Sequence, residues 1–252
     1  MQSKSIMTYD NIIKNIFTNP STGKEYASHI IGEVLDISPD EIYDNLEYIY
    51  PEIQDNIDAV KSTMDVSFET DKIIINIEVN RNSGKRRKVQ NDTYVFQLYL
   101  RELKSSKYYD KIRPVIQINL DTYDYLRKDE FEYVVKLMDT KYHIVVSDKL
   151  LIVHLNLLKL RDMDIREVKN DRLKTTLYFL ASSNEKLIKE LYRDDEFMKK
   201  VKEQADSFAS GIDWADLYFD AEETFQNDLH DIVMDEVREE ITEQVTKDVT
   251  EK

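Results

Sequence analysis

Hydrophobic and polar positions alternate most regularly in the segment from Met64 to Asn80. Its sequence, MDVSFETDKIIINIEVN, changes between apolar and polar at nearly every second residue on both sides of Asp71 and Lys72. A period of two is typical of a strand with one buried face. The pattern therefore predicts a β-hairpin whose two-residue connection is Asp71-Lys72.

The register of this hairpin follows from its connection, because a loop at 71–72 pairs residues whose numbers sum to 143. One face then carries only apolar pairs: Val66 with Ile77, Phe68 with Ile75, and Met64 with Val79. The opposite face carries polar pairs: Asp65 with Glu78, and Ser67 with Asn76. A shift by one residue would mix the two faces, so we expect this register.

Apolar residues at helical spacing recur towards both ends of the chain. Before the hairpin, the pattern predicts two helices, over 8–18 and 24–36, with Thr8 or Asp10 as the candidate N-cap of the first. It then predicts a turn over 38–40, an edge strand over 45–53 and a loop over 54–62. After about residue 160 it predicts helices over 169–183, 184–205 and 218–250.

The middle of the chain alternates between strands and one long helix. The helix is predicted over 86–106, with an apolar face made of Val89, Tyr94, Val95, Leu98, Tyr99 and Leu103. An apolar strand over 113–121 follows, then 129–138 as helix or strand, and short strands over 141–147 and 150–158. A strand, a helix and a strand in that order are typical of a crossover between parallel neighbours. The prediction is an α/β fold: a central mixed β-sheet flanked by helices in a core over 1–160, then a helical, acidic C-terminal region over 161–252.

Composition narrows the chemistry that this fold can carry. The chain has no cysteine, four histidines and only four glycines. This excludes disulfides, cysteine-ligated metals and thiol catalysis, and it disfavours a glycine-rich phosphate loop. No run of 18 apolar residues occurs, and the first residues lack the apolar stretch of a signal peptide. We therefore expect a soluble cytoplasmic protein with no membrane partner.

The net charge of −15 is distributed unevenly. Residues 81–113 hold ten Lys and Arg against three acids, whereas residues 206–252 hold fifteen acids against three basic residues. A basic segment attracts phosphates, and an acidic tail opposes that attraction or screens the basic segment from wrong partners. Two solvated helical faces explain the same charges, so charge alone leaves both alternatives open.

The candidate chemistry lies on the polar face of the hairpin, where Asp65 and Glu78 stand opposite each other. Two carboxylates this close repel unless one is protonated or a cation lies between them. Mg²⁺ favours carboxylate and carbonyl oxygens, with waters completing its shell. Asn80 lies on the same face and suits a contact with a water or a phosphate. Solvent exposure of the two acids would explain them without a metal.

These residues resemble the core of the PD-(D/E)XK phosphodiesterase superfamily, and more narrowly its recombination-promoting nuclease and transposase-like branch. The motif consists of Asp65-Val and Ile-Asn-Ile-Glu78-Val-Asn80. Supporting segments occur in the family's order, from Tyr9-Asp10 in the first helix to 107–120 and 142–160. The resemblance implies a restriction-endonuclease-like fold and a metal-dependent DNA endonuclease linked to recombination or mobile elements.

By the same resemblance, Asp65 and Glu78 would ligate Mg²⁺ (or Mn²⁺), with the carbonyl of Val79 as a further ligand. Asp65, Glu78 and Asn80 would be the catalytic residues. Most of the superfamily has Lys where this chain has Asn80, and this branch often has Gln. Lys85 or Lys88 are candidates to replace that positive charge.

The basic segment that follows the motif fits a DNA partner. Its first five cations would hold DNA phosphates next to the metal: Arg81, Lys85, Arg86, Arg87 and Lys88. Positive charge at a helix N-terminus is unfavourable for the helix dipole, which indicates a reason beyond helix stability.

Two alternatives compete with an active nuclease. One is a nuclease-like module that has lost catalysis and binds DNA or protein. The other is an interaction protein that works through its acidic helices over 206–252, as a homodimerisation arm or a partner-binding surface. The acidic tail would also suit an autoinhibitor that covers the basic segment.

Overall fold

The protein is an α/β structure in which nine described helices surround a mixed β-sheet, as the sequence predicts. A computed structural model describes residues 6–49, 52–53, 62–63, 65–81, 85–105 and 108–212. The helices are α1 (Asp10–Thr18), α2 (Gly23–Leu35), α3 (Pro39–Asn45), α4 (Lys85–Ser105), α5 (Leu157–Asp162), α6 (Ile165–Lys169), α7 (Arg172–Ala181), α8 (Glu185–Leu191) and α9 (Glu196–Ser210). Short 3-10 helices lie at Ile6–Thr8 and Tyr109–Lys111.

Six strands form the main sheet in the order β1-β4-β5-β6-β8-β7. The strands are β1 (Glu47–Ile49), β2 (Glu52–Ile53), β3 (Ser62–Thr63), β4 (Val66–Glu69), β5 (Ile74–Asn80), β6 (Val115–Asp121), β7 (Glu132–Met138) and β8 (Val145–Asn156). The two short strands β2 and β3 pair with each other. The centre of the main sheet is parallel, and both outer parts are antiparallel.

The register predicted for the hairpin is confirmed. Strands β4 and β5 are antiparallel, and their pairs include Val66 with Ile77 and Phe68 with Ile75. The backbone N–H of Thr70 donates to the carbonyl of Ile73, which leaves two residues in the connection. The Thr70 hydroxyl also accepts the N–H groups of both residues that follow Asp71, so a side chain stabilises this turn. The predicted pair of Met64 with Val79 lies outside the described residues.

The predicted crossover is also confirmed. Strand β5 leads through α4 to β6, which pairs parallel with β5 on one side and with β8 on the other. The buried stripe of α4 follows helical spacing through Asn91, Tyr94, Val95, Leu98 and Glu102. The prediction was wrong about Val89, which is 63% exposed because it lies off this stripe.

The two sides of the sheet are covered by different helices. The larger core contains β5 and β6 residues such as Ile77 and Ile118 together with α1, α2 and α7. The smaller core lies between the sheet and α4, around Ile74, Val115 and Leu98. Both faces of β5 and β6 are therefore buried.

The described part of the C-terminal region packs on the larger core. Leu177 and Phe179 of α7 and Val201 of α9 belong to it. The division at residue 160 remains a prediction, as does the homodimer through the C-terminal helices, since 218–250 lies outside the described residues.

Several predicted elements differ from the observed ones. Tyr9, not Thr8 or Asp10, precedes α1, and its side chain makes no capping hydrogen bond. The predicted turn at 38–40 instead begins α3, because Pro39 suits the first position of a helix. In place of the single edge strand predicted over 45–53, the structure has β1 at the edge of the main sheet and β2, which pairs with β3. The loop over 54–62 lies mostly outside the described residues.

The last two predicted strands are one long strand. Strand β8 continues through the polar residues Ser147 and Asp148. These residues interrupt the apolar pattern without a turn, because this half of the β7–β8 hairpin is exposed. Strand β8 ends at Asn156, whose side chain accepts the N–H of Lys159 and caps α5. Segment 129–138, left open between helix and strand, is the antiparallel β7.

Within the part of the chain that the structure describes, no helix is both long enough and apolar enough to cross a membrane.

Candidate active site at the ends of the parallel strands

Polar side chains converge where the three parallel strands end. On the face towards α4, every second residue is polar and buried: Asn76, Glu78, Asn80, Gln117, Asn119, Asp121, His154 and Asn156. The strand register aligns them in rows, so that Glu78 neighbours Asn119 and Asn119 neighbours His154. Ligand sites of open α/β sheets form at the carboxyl ends of parallel strands, which makes this cluster the candidate site.

The two carboxylates predicted as metal ligands lie together in this cluster. Asp65 comes immediately before β4, and its backbone N–H donates to Glu78 Oε1 at 3.0 Å. In return, the backbone N–H of Val79 donates to Asp65 Oδ2 at 2.9 Å. The hairpin backbone thus holds both carboxylates, one on each strand. Glu78 is only 3% exposed, so solvent exposure does not account for it.

A short chain of hydrogen bonds orients Glu78 from one side. The Ser67 hydroxyl donates to Asn76 Oδ1 at 2.8 Å, and Asn76 Nδ2 donates to Glu78 Oε1 at 3.0 Å. The same Glu78 oxygen therefore accepts from a side-chain amide and from the Asp65 backbone. Two donors on one oxygen restrict the rotamer of Glu78 and hold the carboxylate in place.

Asn80 is held from the opposite side by the next strand. Its Nδ2 donates to Asp121 Oδ1 at 2.8 Å and to Asn119 Oδ1 at 3.3 Å. These bonds fix which end of the amide is the donor. The Asn80 Oδ1 is buried and accepts no hydrogen bond from the described residues. A buried acceptor without a donor is costly, and such an atom indicates a water or ligand contact.

A buried acid–imidazole pair supports Asn80. Asp121 Oδ2 lies 2.7 Å from His154 Nδ1, and both side chains are almost fully buried. The Tyr125 ring stacks on the imidazole at a centroid distance of 3.7 Å. Burial raises the pKa of Tyr125, and the negative charges of Asp92 and Asp121 raise it further. Partial desolvation also raises the pKa of Asp92, while the nearby His154 opposes that rise.

Sequence reasoning assigned no role to His154, which lies in an otherwise apolar, strand-like segment. The signal lay in the period-two polar positions of two otherwise apolar strands, Gln117-Asn119-Asp121 and His154-Asn156. Only the parallel alignment of β6 with β8 shows that Asp121 and His154 are within hydrogen-bond distance.

The predicted phosphate-binding residues begin directly after β5. The Arg81 guanidinium stacks on the ring of Tyr9, with 3.6 Å between the guanidinium carbon and the ring centroid. Lys85, Arg86, Arg87 and Lys88 form the first turn of α4, and their side chains lie outside the described residues. Their DNA contacts remain a prediction.

Arg113, at the end of the basic segment, has a structural role instead. Its guanidinium donates to Glu102 and Glu69 and to the carbonyl of Thr70. These contacts hold α4 and the hairpin turn to the start of β6.

The donor set of the cluster fits Mg²⁺ or Mn²⁺. Among the described residues, no group of three or more His, Cys, Asp and Glu side chains is arranged to hold a metal ion. Mg²⁺ needs fewer protein carboxylates than that, since it commonly takes one or two and completes its shell with waters. Asp65, Glu78 and the Val79 carbonyl supply such a set, and the orphaned Asn80 Oδ1 lies two residues from Glu78.

The chain also matches a known protein family. The model of the family described as PD-(D/E)XK nuclease family transposase matches residues 7–233, which include the whole described sheet and the candidate site. No curated protein and no solved structure matches the chain significantly. Because the family model covers most of the chain, the resemblance carried by Asp65, Glu78 and their surroundings is confirmed, and the protein belongs to the PD-(D/E)XK nuclease family of transposases.

Proposed function

We propose that the protein is a metal-dependent DNA endonuclease that hydrolyses phosphodiester bonds during recombination or the movement of mobile elements. Membership in the family supports a nuclease- or transposase-like role. The observation that carries the finer proposal is the contact of Asp65 with the buried Glu78 at the end of β5. Each carboxylate accepts a backbone N–H from the other side of the hairpin, and a shared cation would offset the repulsion between the two neighbouring charges.

In this proposal, Asp65, Glu78 and the Val79 carbonyl hold Mg²⁺ or Mn²⁺. When bound, such an ion makes a coordinated water more acidic and offsets negative charge on the phosphate. Asn76 and the Asp65 backbone keep Glu78 in one orientation, so the carboxylate does not need to reorganise when substrate binds.

Asn80 is proposed to position the attacking water. Asp121 and Asn119 accept the hydrogen bonds of its Nδ2, which leaves Oδ1 as the end that accepts a hydrogen bond from water. An amide oxygen orients a water without adding charge, unlike the Lys that most of the superfamily has at this position. Arg81 and the first turn of α4 then provide the positive charge that holds the DNA backbone.

DNA cleavage with Mg²⁺, Mn²⁺ or EDTA tests this function, with supercoiled and linear substrates. Asp65→Asn and Glu78→Gln should each lower the rate by about a hundredfold or more, because each removes a charge from the metal site. Asp71→Asn is the matched control, since it removes a carboxylate from the exposed turn of the same hairpin. Mn²⁺ should also raise the melting temperature of the wild type but not of Glu78→Gln.

A catalytically silent DNA-binding module is the second candidate, and Asn80 in place of Lys favours it. This candidate predicts that the wild type binds DNA without cutting it and that Asn80→Lys gains metal-dependent cleavage. Cutting by the wild type that is lost in both carboxylate variants would support the endonuclease and exclude the silent module. Equal cutting by the wild type and Glu78→Gln would contradict the proposed site.

A further inference from the structure

Strand β7 forms one end of the main sheet, and its outer side pairs with none of the described strands. Most of its side chains are exposed, and those of the adjoining turn and of the start of β8 are exposed as well. The large exposed apolar residues here are Val134, Val135, Leu137, Met138, Tyr142, Ile144, Val145 and Val146. The opposite edge strand, β1, has only three residues.

A long apolar edge strand is a template for pairing with another chain. Soluble proteins usually protect such edges by shortening them, by adding charged residues or a proline, by a β-bulge, or by covering them. The two charges of β7, Glu132 and Lys136, are of opposite sign, and its pairing with β8 is irregular only after Lys136. Strand β7 has seven residues and no proline. Its exposed apolar side chains therefore require an explanation that the candidate active site does not provide.

The charges of β7 are complementary to those of a second, antiparallel copy of the same strand. Glu132 and Lys136 are exposed and lie two positions before and two positions after Val134. If two copies of β7 pair antiparallel around Val134, residue numbers across the pair sum to 268. Glu132 of each copy then lies opposite Lys136 of the other, and the two-fold axis makes both ion pairs at once.

Neighbouring registers lack this complementarity. Pairing around Val135 places Glu132 opposite Met138 and Val134 opposite Lys136, so each charge faces an apolar residue. Pairing around Tyr133 places Glu132 opposite Val134 and leaves Lys136 beyond the start of the partner strand. The two charges therefore select the register centred on Val134.

We propose that β7 binds β7 of a second copy of this chain, antiparallel and centred on Val134, to form one continuous twelve-strand sheet. Backbone hydrogen bonds across the two edges provide the affinity, as in other strand-addition interfaces. The Glu132–Lys136 pairs set the register. This interface is independent of the proposed nuclease activity, because no residue of the candidate site takes part.

Sedimentation velocity of the full chain, without DNA or metal, tests the interface over a broad range of concentration. The wild type should dimerise. Lys136→Glu and Glu132→Lys should each weaken the dimer by roughly tenfold or more, since each sets like charges opposite one another twice. The double variant Glu132→Lys/Lys136→Glu should restore the wild-type dissociation constant. Lys189→Glu on α8 is the control for net charge and should have no effect.

Circular dichroism of each variant separates loss of the dimer from loss of the fold. If both single variants are folded and the double variant recovers the dimer, the register is supported. A wild type that stays monomeric would overturn the proposal. So would a dimer that tolerates both charge reversals, because its interface would lie elsewhere, for example in segment 218–250, which the sequence predicts to be helical.

Discussion

The two faces of the central parallel strands are both buried but differ in chemistry. The face towards α1, α2 and α7 is apolar along its length, with residues such as Ile77, Ile118 and Leu155. The face towards α4 begins apolar at Ile74 and Val115 and becomes polar towards the strand ends. One face serves stability, and the polar half of the other carries groups whose burial costs free energy.

This difference locates function without reference to any relative. Parallel strands covered on both sides usually consist of continuous apolar residues. Here β5, β6 and the last four residues of β8 alternate although both faces are buried, so solvent exposure does not explain their polar residues. Hydrogen bonds offset much of the free-energy cost of burying Glu78, Asn80 and Asp121. Buried polar atoms that bond to none of the described residues, such as Asn80 Oδ1, indicate where a water or ligand contact is missing.

The largest expected effect on stability lies on the apolar face. Ile118→Ala removes a fully buried side chain from the larger core and should lower the free energy of unfolding by about 3 kcal/mol. Urea denaturation measures the loss. Cleavage per folded molecule should stay at the wild-type value, and a parallel fall in that rate would show that the two faces are coupled.

On the polar face, Asp121→Asn should affect activity more than substrate binding. It keeps the shape of the side chain but removes the charge that faces His154 and holds Asn80. We expect kcat to fall about tenfold with KM unchanged, as is typical for groups that support a site from behind. Asp148→Asn, at an exposed position of β8, is the control. An equal loss there, or a change confined to KM, would contradict a positioning role.

The ion pair between Glu102 of α4 and Arg113 should contribute a pH-dependent part of the stability. Hydrogen bonds and the charge of Arg113 lower the pKa of Glu102 below its ordinary value. A carboxylate with a lowered pKa stabilises the fold above its unfolded pKa, and this contribution is lost as pH falls through the folded value. Glu102→Gln should therefore cost about 2 kcal/mol at neutral pH. Its difference from the wild type should shrink in acid, below about pH 4.5.

Glu69, the second carboxylate that pairs with Arg113, provides a comparison for Glu102. Glu69 contacts the same guanidinium but is more exposed, so Glu69→Gln should cost less than Glu102→Gln. A difference between Glu102→Gln and the wild type that persists unchanged in acid would show that packing, not charge, explains the loss.

The smallest expected effect is a gain in the free energy of unfolding, not a loss. Asn91 of α4 is 3% exposed, and neither polar atom of its amide bonds to any described residue. Asn91→Leu should raise the free energy of unfolding by about 1 kcal/mol, because it removes an unsatisfied buried group of similar size. Asn76→Leu should destabilise instead, since Asn76 bonds to Ser67 and Glu78. A loss of stability in Asn91→Leu would indicate that Asn91 binds a ligand or water.

Local patterns predicted those features that depend on neighbours along the chain. The register of the β4–β5 hairpin, the meeting of Asp65 with Glu78, the α4 crossover and the parallel β6 all followed from periodicity. They were predictable because a strand with one apolar face tolerates a single register, and because a strand, a helix and a strand have one favoured handedness. The pattern gave a wrong prediction in the outer half of β8, where the strand is exposed and its polar residues resemble a break between two strands.

Amino-acid order alone was enough to determine the α/β fold, the family and the acidic pair of the hairpin. The pair depends on spacing within one short segment, and the fold and the family depend on the order of segments along the chain. The support of Asn80 by Asp121, the pairing of Asp121 with His154, and the exposed edge of β7 were decided by the tertiary structure. These features join residues more than 30 positions apart or depend on which strand ends the sheet. Such contacts follow from strand order, and strand order is fixed only when all the layers of the fold pack together.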